Sequence, residues 1–151
     1  MKKFQFGLDG VMRYKQQVLE GAQNEYAVLV QRVQQQEQRL QTVVERYRAY
    51  NQEFRQAEAE GITIAQAMGY ESGLRALERE QKQEEKRLKQ MQAQAEQGRQ
   101  RLVAARQDTN SLEKLKEKKS EVYRKEAQKQ EEEFIDELVS NTRAVAVGSF
   151  G

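Results

Sequence analysis

The chain has 151 residues, of which 37% are hydrophobic and 33% are charged, and 26 basic against 24 acidic side chains leave a net charge of +2. It is rich in Ala, Glu, Lys, Leu, Arg and Gln and contains no Pro. This composition is typical of long helices or a coiled coil and excludes a TIM barrel, a doubly wound sheet and a β-sandwich. Because Cys and His are absent, we expect no disulfide, no Cys/His zinc site, no thiol nucleophile, no imidazole base and no cofactor.

An apolar stripe with coiled-coil spacing runs through the first 60 residues. Its members recur at steps of three and four, which average 3.5 residues and predict the seam of a left-handed coiled coil. They are Leu8, Val11, Lys15, Val18, Ala22, Tyr26, Leu29, Val33, Gln36, Leu40, Val43, Tyr47, Tyr50, Phe54 and Ala57. Two consecutive steps of four, from Val18 through Ala22 to Tyr26, predict a stutter that locally unwinds the supercoil.

The helical pattern is interrupted at Gly61, between the two apolar stripes. Gly61 is a natural left-handed helix terminator, and Thr63 followed by Gln66 has the form of a capping box. We therefore predict a helix over about 4–59 and a turn at about 60–63.

A second stripe follows the turn, in unbroken steps of three and four. It comprises Tyr70, Leu74, Leu77, Gln81, Glu84, Leu88, Met91, Ala95, Gly98, Leu102, Ala105, Thr109 and Leu112. The second helix is predicted over about 63–141, with a frayed tail at 142–151. The break favours a long, all-α, two-helix antiparallel coiled-coil hairpin, in a single domain, over one continuous helix that dimerises in parallel.

The turn also fixes the expected register. Facing residues have numbers that sum to about 123, so the bulky ring of Tyr26 is predicted to face Gly98. Phe4 and Phe6 then lie opposite residues 117–119, and the second helix overhangs the first from about residue 120.

The stretch from 114 to 129 has seven basic and three acidic residues, and acidic residues follow it at 131–133, 136 and 137. It is either a solvated helix face or a docking end, and the unpaired overhang favours docking because an isolated helix needs a partner. Nucleic acid is not an expected partner, since aromatic residues are nearly absent from this stretch and the net charge is small.

Neither catalysis nor membrane insertion is predicted. The glycines form neither GxGxxG nor a phosphate-binding loop, and two helices offer no pocket that excludes water, so we expect no enzyme activity. The first residues lack the apolar run of a signal peptide, and no apolar stretch approaches the ~20 residues that span a bilayer. We expect a soluble, cytoplasmic protein.

Three parts of the sequence resemble the flagellar export proteins of the FliJ family. The opening from Phe4 to Val11 resembles an F-x-F-x-L-x-x-[LV] start, and the turn at 61–64 with the residues that follow it resembles a mid-chain pattern. The matched residues of that pattern are Gly61, Ile62, Thr63, Ile64, Tyr70, Leu74 and Leu77. The end resembles the C-terminal signature at 112–119, Tyr123, Glu126, Glu132 and 134–137.

The resemblance implies a soluble component of the bacterial flagellar type III export apparatus. Members of this family are antiparallel two-helix coiled coils, similar to the stalk of rotary ATPases. They dock in the ring of the hexameric export ATPase and stimulate it. They also contact the cytoplasmic domain of the membrane export gate and have been called general chaperones. This implies a cytoplasmic protein, peripherally associated with the inner membrane at the flagellar base, with export chaperones as further partners.

The resemblance also suggests two contact regions. The residues expected to contact the gate are Val43, Tyr50 and Leu77. Docking at the open end, where both termini lie, is expected to use Phe4, Phe6, Lys118, Lys119, Arg124 and Lys125. A stalk of a virulence-type secretion system and a structural spacer or adaptor remain alternatives.

Overall fold

The computed structural model describes residues 2–149, with side chains for 2–146. It contains helices α1 (Asp9–Glu60) and α2 (Ile64–Ser149), with no strand in the described part of the chain. The helices pair antiparallel, which confirms the predicted all-α coiled-coil fold. The chain forms two compact units. The hairpin unit is Leu19–Ala104, and the terminal unit is Met1–Val18 with Ala105–Gly151.

The turn has the predicted chemistry. Gly61 has a φ of 93°, which side chains rarely tolerate, and its N–H donates to the carbonyl oxygen of Glu58 at 3.2 Å. The N–H of Gln66 donates to Oγ1 of Thr63 at 3.2 Å, and the N–H of Thr63 donates to Oε1 of Gln66 at 3.1 Å. This reciprocal pair confirms the capping box and satisfies two of the N–H groups that the first turn of α2 leaves open.

Burial in the hairpin unit follows the predicted seam. Every α1 stripe residue from Ala22 to Ala57 and every α2 stripe residue from Tyr70 to Leu102 is buried or half-buried. Val43 and Leu77 are the most buried large apolar side chains of this unit, at 4% and 9% exposure. The predicted register also holds, because Tyr26 faces Gly98 and Tyr50 faces Gly73, pairs whose numbers sum to 124 and 123. At the edges of the seam, Arg46 pairs with Glu80 at 3.3 Å and Glu25 with Arg101 at 3.3 Å.

The predicted stutter is absent. Met12 and Leu19 are half-buried, whereas Leu8, Val11 and Val18 are exposed at 37%, 45% and 40%. Steps of three and four therefore continue without interruption along α1 through Leu19 to Met12. The prediction was wrong because Val11 and Val18 form a second apolar stripe, one position before the seam, and spacing alone does not distinguish two adjacent stripes.

A polar layer interrupts the apolar seam of the hairpin unit. Gln36 is 1% exposed, and its Nε2 donates to the carbonyl oxygen of Glu84 at 3.1 Å and to the carboxylate Oε2 of the same residue. The other carboxylate oxygen of Glu84 accepts from Arg87 at 3.0 Å. The buried amide of Gln36 would lose these partners if α1 shifted along α2. It therefore favours the observed register over shifted registers.

Two glycines of α2 make room for bulky side chains of α1. A Cβ placed on Gly98 would lie 2.6 Å from Cδ1 of Leu29 and 3.7 Å from Cδ2 of Tyr26, so the predicted Tyr26–Gly98 pairing is confirmed, with Leu29 even closer. A Cβ placed on Gly73 would lie 2.6–2.8 Å from the hydroxyl and ring of Tyr50. The ring of Tyr50 thus packs directly over the α2 backbone.

In the terminal unit, the first residues lie against α2 without forming a helix. Phe6 is buried at 4% exposure, with Nζ of Lys119 5.8 Å from its ring centre, and the ring of Phe4 lies 5.6 Å from that of Tyr123. α1 therefore starts at Asp9 rather than at residue 4. The negative charge of Asp9 interacts favourably with the positive end of the helix dipole in this first turn. Contacts with the N-terminal segment consequently extend to Tyr123, beyond the predicted start of the overhang at about 120.

The end of α2 is helical, and its described side chains are exposed to solvent. The helix continues to Ser149, past the predicted limit at 141, and residues 150 and 151 of the predicted frayed tail lie outside the described residues. From Gln128 to Ala146 every side chain is exposed. We call residues 128–146 the tip.

The two glycines Gly73 and Gly69 provide a matched test of the packing of Tyr50. A Cβ on Gly69 would meet nothing within 4 Å, so Gly69→Ala should raise the free energy of unfolding by about 0.5–1 kcal/mol through helix propensity alone. Gly73→Ala gains the same propensity but must displace the ring of Tyr50, so we expect it to be less stable than Gly69→Ala by about 1–3 kcal/mol. Urea unfolding followed by circular dichroism measures both. Equal stabilisation by the two substitutions would show that Tyr50 does not pack over α2.

Candidate functional site

The predicted gate-contact residues lie in the hairpin unit, near the turn. Tyr50 and Leu77 line the same shallow groove, which we call the mid-stem groove. Its lining residues are Arg46, Ala49, Tyr50, Glu53, Gly73, Ala76, Leu77 and Glu80. Val43 does not line it and is buried in the seam. The structure thus brings Tyr50 and Leu77 together on one surface, and Tyr50 is the more accessible of the two.

Three aromatic rings pack at tilted angles at the turn-proximal end of this groove. The ring centre of Tyr70 lies 5.3 Å from that of Tyr50 and 5.1 Å from that of Phe54, within the range of favourable aromatic pairs. The hydroxyl of Tyr70 donates to Oε1 of Glu53 at 3.4 Å. Burial of the ring, together with the charge and hydrogen bond of Glu53, raises the pKa of the Tyr70 hydroxyl above its ordinary value. The cluster holds Tyr50 in place at the edge of the groove.

Charged side chains border the groove on both helices. Arg46 and Glu80 form an ion pair at 3.3 Å across the seam, and the hydroxyl of Tyr47 donates to Glu78 at 3.3 Å. The Arg46 and Glu80 side chains are 58% and 42% exposed, so the pair contributes little stability. Together with Glu53, the pair gives the border of the groove one positive and two negative side chains.

The predicted docking residues of the terminal unit fall into two groups. Phe6 is buried and Phe4 is half-buried against α2, so both rings hold the N-terminal segment to that helix. The four basic side chains, which we call the basic set, are all exposed: Lys118, Lys119, Arg124 and Lys125. Lys119 lies over the Phe6 ring, and Lys125 pairs with Glu121 at 3.4 Å.

Lys118 and Arg124 are the most available charges of this set. Neither has an ion-pair partner among the described residues. Arg124 borders a groove that Phe4 and Met12 line from the other side. The same groove is also lined by Lys116 and by the carboxylates of Glu113, Glu117 and Glu121, so Arg124 lies at the border of a surface that carries both signs of charge.

Sequence reasoning missed two features of these sites. The first is the burial of Phe6, for which the alternation of Phe4, Gln5 and Phe6 before Gly7 was an available signal, because an extended segment buries alternate residues. The second is the packing of Tyr50 over Gly73. The available signal was the register itself, because facing numbers that sum to about 123 set Gly73 opposite the ring of Tyr50.

The described residues contain no cluster of His, Cys, Asp or Glu that could hold a metal ion. Within the same residues, every buried side-chain polar atom has a hydrogen-bond partner. Neither helix, as far as it is described, includes a segment long and apolar enough to cross a bilayer.

Comparison with known protein families gives a match. The family model described as "Flagellar FliJ protein" matches residues 4–146, which is nearly the whole chain and includes both the mid-stem groove and the basic set. Neither the curated proteins nor the solved structures include a significant match. The family match confirms the resemblance found in the sequence: the chain belongs to the flagellar FliJ protein family.

Proposed function

We propose that this protein is a non-catalytic coiled-coil component of the flagellar type III export apparatus. It links the export ATPase to the membrane export gate from the cytoplasmic side of the inner membrane. The observation that carries this proposal is the family match over residues 4–146, together with the two-helix fold.

Docking to the ATPase ring is assigned to the terminal unit. The basic set is exposed, and Lys118 and Arg124 have no internal ion-pair partner among the described residues. Charges of this kind speed encounter and set orientation more than they add affinity. Phe6 acts indirectly in this proposal, since its burial against α2 keeps Lys119 and the N-terminal segment in place.

Contact with the gate is assigned to the mid-stem groove. Tyr50 lies at its edge, and the rings of Tyr70 and Phe54 fix its orientation. A rigid, half-exposed tyrosine beside apolar side chains is a common anchor of protein interfaces. Leu77 and Val43 support this surface from the seam, since both are buried.

The basic set can be tested by stimulation of a purified export ATPase. Changing Lys118, Lys119, Arg124 and Lys125 together to Ala should preserve helicity, because Ala is the best helix former. At a subsaturating concentration we expect stimulation to fall severalfold. Wild-type stimulation should also decrease as salt is raised, because exposed charges are screened beyond ~8–10 Å.

The control is a second quadruple alanine variant with the same charge change in the hairpin unit. Arg79, Lys82, Lys86 and Lys89 are also exposed, and this variant should stimulate as the wild type does. Equal loss in both variants would mean that only net charge matters. An absence of stimulation by the wild-type protein would contradict the ATPase assignment and favour a structural adaptor.

The mid-stem groove can be tested by binding to the cytoplasmic domain of the gate. Tyr50→Ala should weaken binding by about tenfold or more, as expected of an interface anchor. Tyr26→Ala is the matched control, because it removes a half-buried seam ring at another level of the same helix. Isothermal titration calorimetry measures affinity, and urea unfolding measures stability. If both variants lose stability and affinity in parallel, Tyr50 is only a core residue.

A further inference from the structure

The terminal unit carries a second pair of stripes beside its seam. The stripe of α1 consists of Val11, Tyr14 and Val18, which are exposed at 45%, 62% and 40%. On α2, steps of four and three define a stripe whose members are all exposed: Ser111, Leu115, Lys118, Val122 and Lys125. Both stripes therefore have the spacing of a coiled-coil seam.

An ion pair places the two stripes on the same edge of the unit. Nζ of Lys15 lies 3.3 Å from the carboxylate of Asp108. Lys15 lies four residues after Val11 and three before Val18, and Asp108 lies one heptad before Leu115. Residues at these spacings share one surface of a helix. The stripes therefore run side by side, and we call this surface the lateral edge.

The carboxylates of the same stretch of α2 lie on a different side of the helix. The α1 stripe is uncharged, and the α2 stripe combines Leu115 and Val122 with Lys118 and Lys125. The three carboxylates between 111 and 125 line the groove beside Phe4 and Met12 instead: Glu113, Glu117 and Glu121. Lys125 approaches one of them, since its Nζ lies 3.4 Å from Glu121. The lateral edge is thus uncharged on its α1 side and basic on its α2 side.

The hairpin unit has charged pairs at the equivalent heptad positions. Glu25 pairs with Arg101, and Arg46 pairs with Glu80, each at 3.3 Å across the seam. Counting in sevens along each helix leads from these residues to Val18 on α1 and to Leu115 on α2. The terminal unit therefore has exposed apolar side chains where the hairpin unit has ion pairs, and an apolar patch of this kind usually marks an interaction site.

We propose that the lateral edge binds one acidic amphipathic helix of a partner protein, which packs as the third helix of a local coiled coil. The seam spacing on both α1 and α2 fits the side-chain rows of a helix. The basic α2 side requires carboxylates on the adjoining side of the partner helix, and the α1 side requires none. Residues 111–125 span about 21 Å, which matches a partner helix of roughly four turns.

The charges also argue against a second copy in this position. Two lateral edges brought together would both present Lys118 and Lys125, and like charges repel. Both lysines belong to the basic set, yet the site is defined by the chemistry of the helix that it binds. It does not depend on the ATPase being the protein that supplies this helix.

Binding of a model peptide tests the proposal. The probe is a labelled peptide of three heptads with Leu at a and d, Glu at e and g, and Gln elsewhere, whose own carboxylates keep it from pairing with itself. Fluorescence anisotropy should show that it binds the wild-type protein. Val122→Gln should weaken binding about tenfold or more, because it removes an apolar contact of the edge. Val103→Gln changes a valine of the hairpin unit that is 41% exposed and should leave binding unchanged.

Charge reversal tests the sign of the partner. Lys118→Glu with Lys125→Glu should abolish binding of the acidic peptide and create binding of a peptide with Lys in place of Glu. Lys82→Glu with Lys89→Glu, in the hairpin unit, should do neither. Circular dichroism checks that all variants stay helical.

Four results would each overturn the proposal. They are no binding of the acidic peptide to the wild type, equal losses in the Val122 and Val103 variants, and a wild-type mass of twice 17.6 kDa that Val122→Gln halves. The last is binding to phosphatidylserine vesicles that Val122→Gln abolishes, because a membrane would then occupy the edge, as a second copy, bound through its acidic tip, would in the third case. Since the peptide assay contains no ATPase, its failure would leave the ATPase assignment standing.

Discussion

Each helix in this fold packs along one seam, so almost no side chain can be enclosed on all sides. Among the described residues, the buried apolar side chains are only Phe6, Val43, Leu77 and Ala105. The polar side chain of Gln36 is 1% exposed, and it is held by Glu84 of the opposite helix. Stability therefore depends on many half-buried contacts in one register, and a shift of register would leave this amide unpaired.

The same constraint explains why the candidate sites lie where they do. A seam this thin leaves the edges of its own side chains accessible, and Tyr50 is ordered by Tyr70, Phe54 and Gly73 while remaining half-exposed. In the terminal unit, the non-helical segment before Asp9 occupies the place that a further turn of α1 would take. Phe6 of this segment packs into the seam against α2. Surfaces for partners thus arise from the seam itself rather than from a separate pocket.

Much of this arrangement is predictable from the residue pattern, because turn chemistry and seam spacing are local. The capping box at Thr63 and Gln66 is confirmed atom by atom, and each α2 seam position is buried or half-buried. The start of α1 was predicted too early, because the helical spacing was extended back to Phe4 although Phe6 packs on α2 from a non-helical segment. The apolar residues Val11 and Val18 misled the seam assignment because spacing cannot show which of two adjacent stripes faces the partner. The accessibility of Tyr50 likewise depends on the register at Gly73.

The register of α1 against α2 is the central claim, and cysteine pairs in this cysteine-free chain test it most directly. A Cβ placed on Gly98 would lie 3.9 Å from Cα of Tyr26, close enough for a disulfide, whereas Met91 lies one heptad away along α2. Under dilute, mildly oxidising conditions, a chain with cysteines at positions 26 and 98 should form an internal disulfide. A chain with cysteines at 26 and 91 should not. A faster reaction of the second pair, or covalent dimers as the main product of the first, would contradict the antiparallel register described for the hairpin unit.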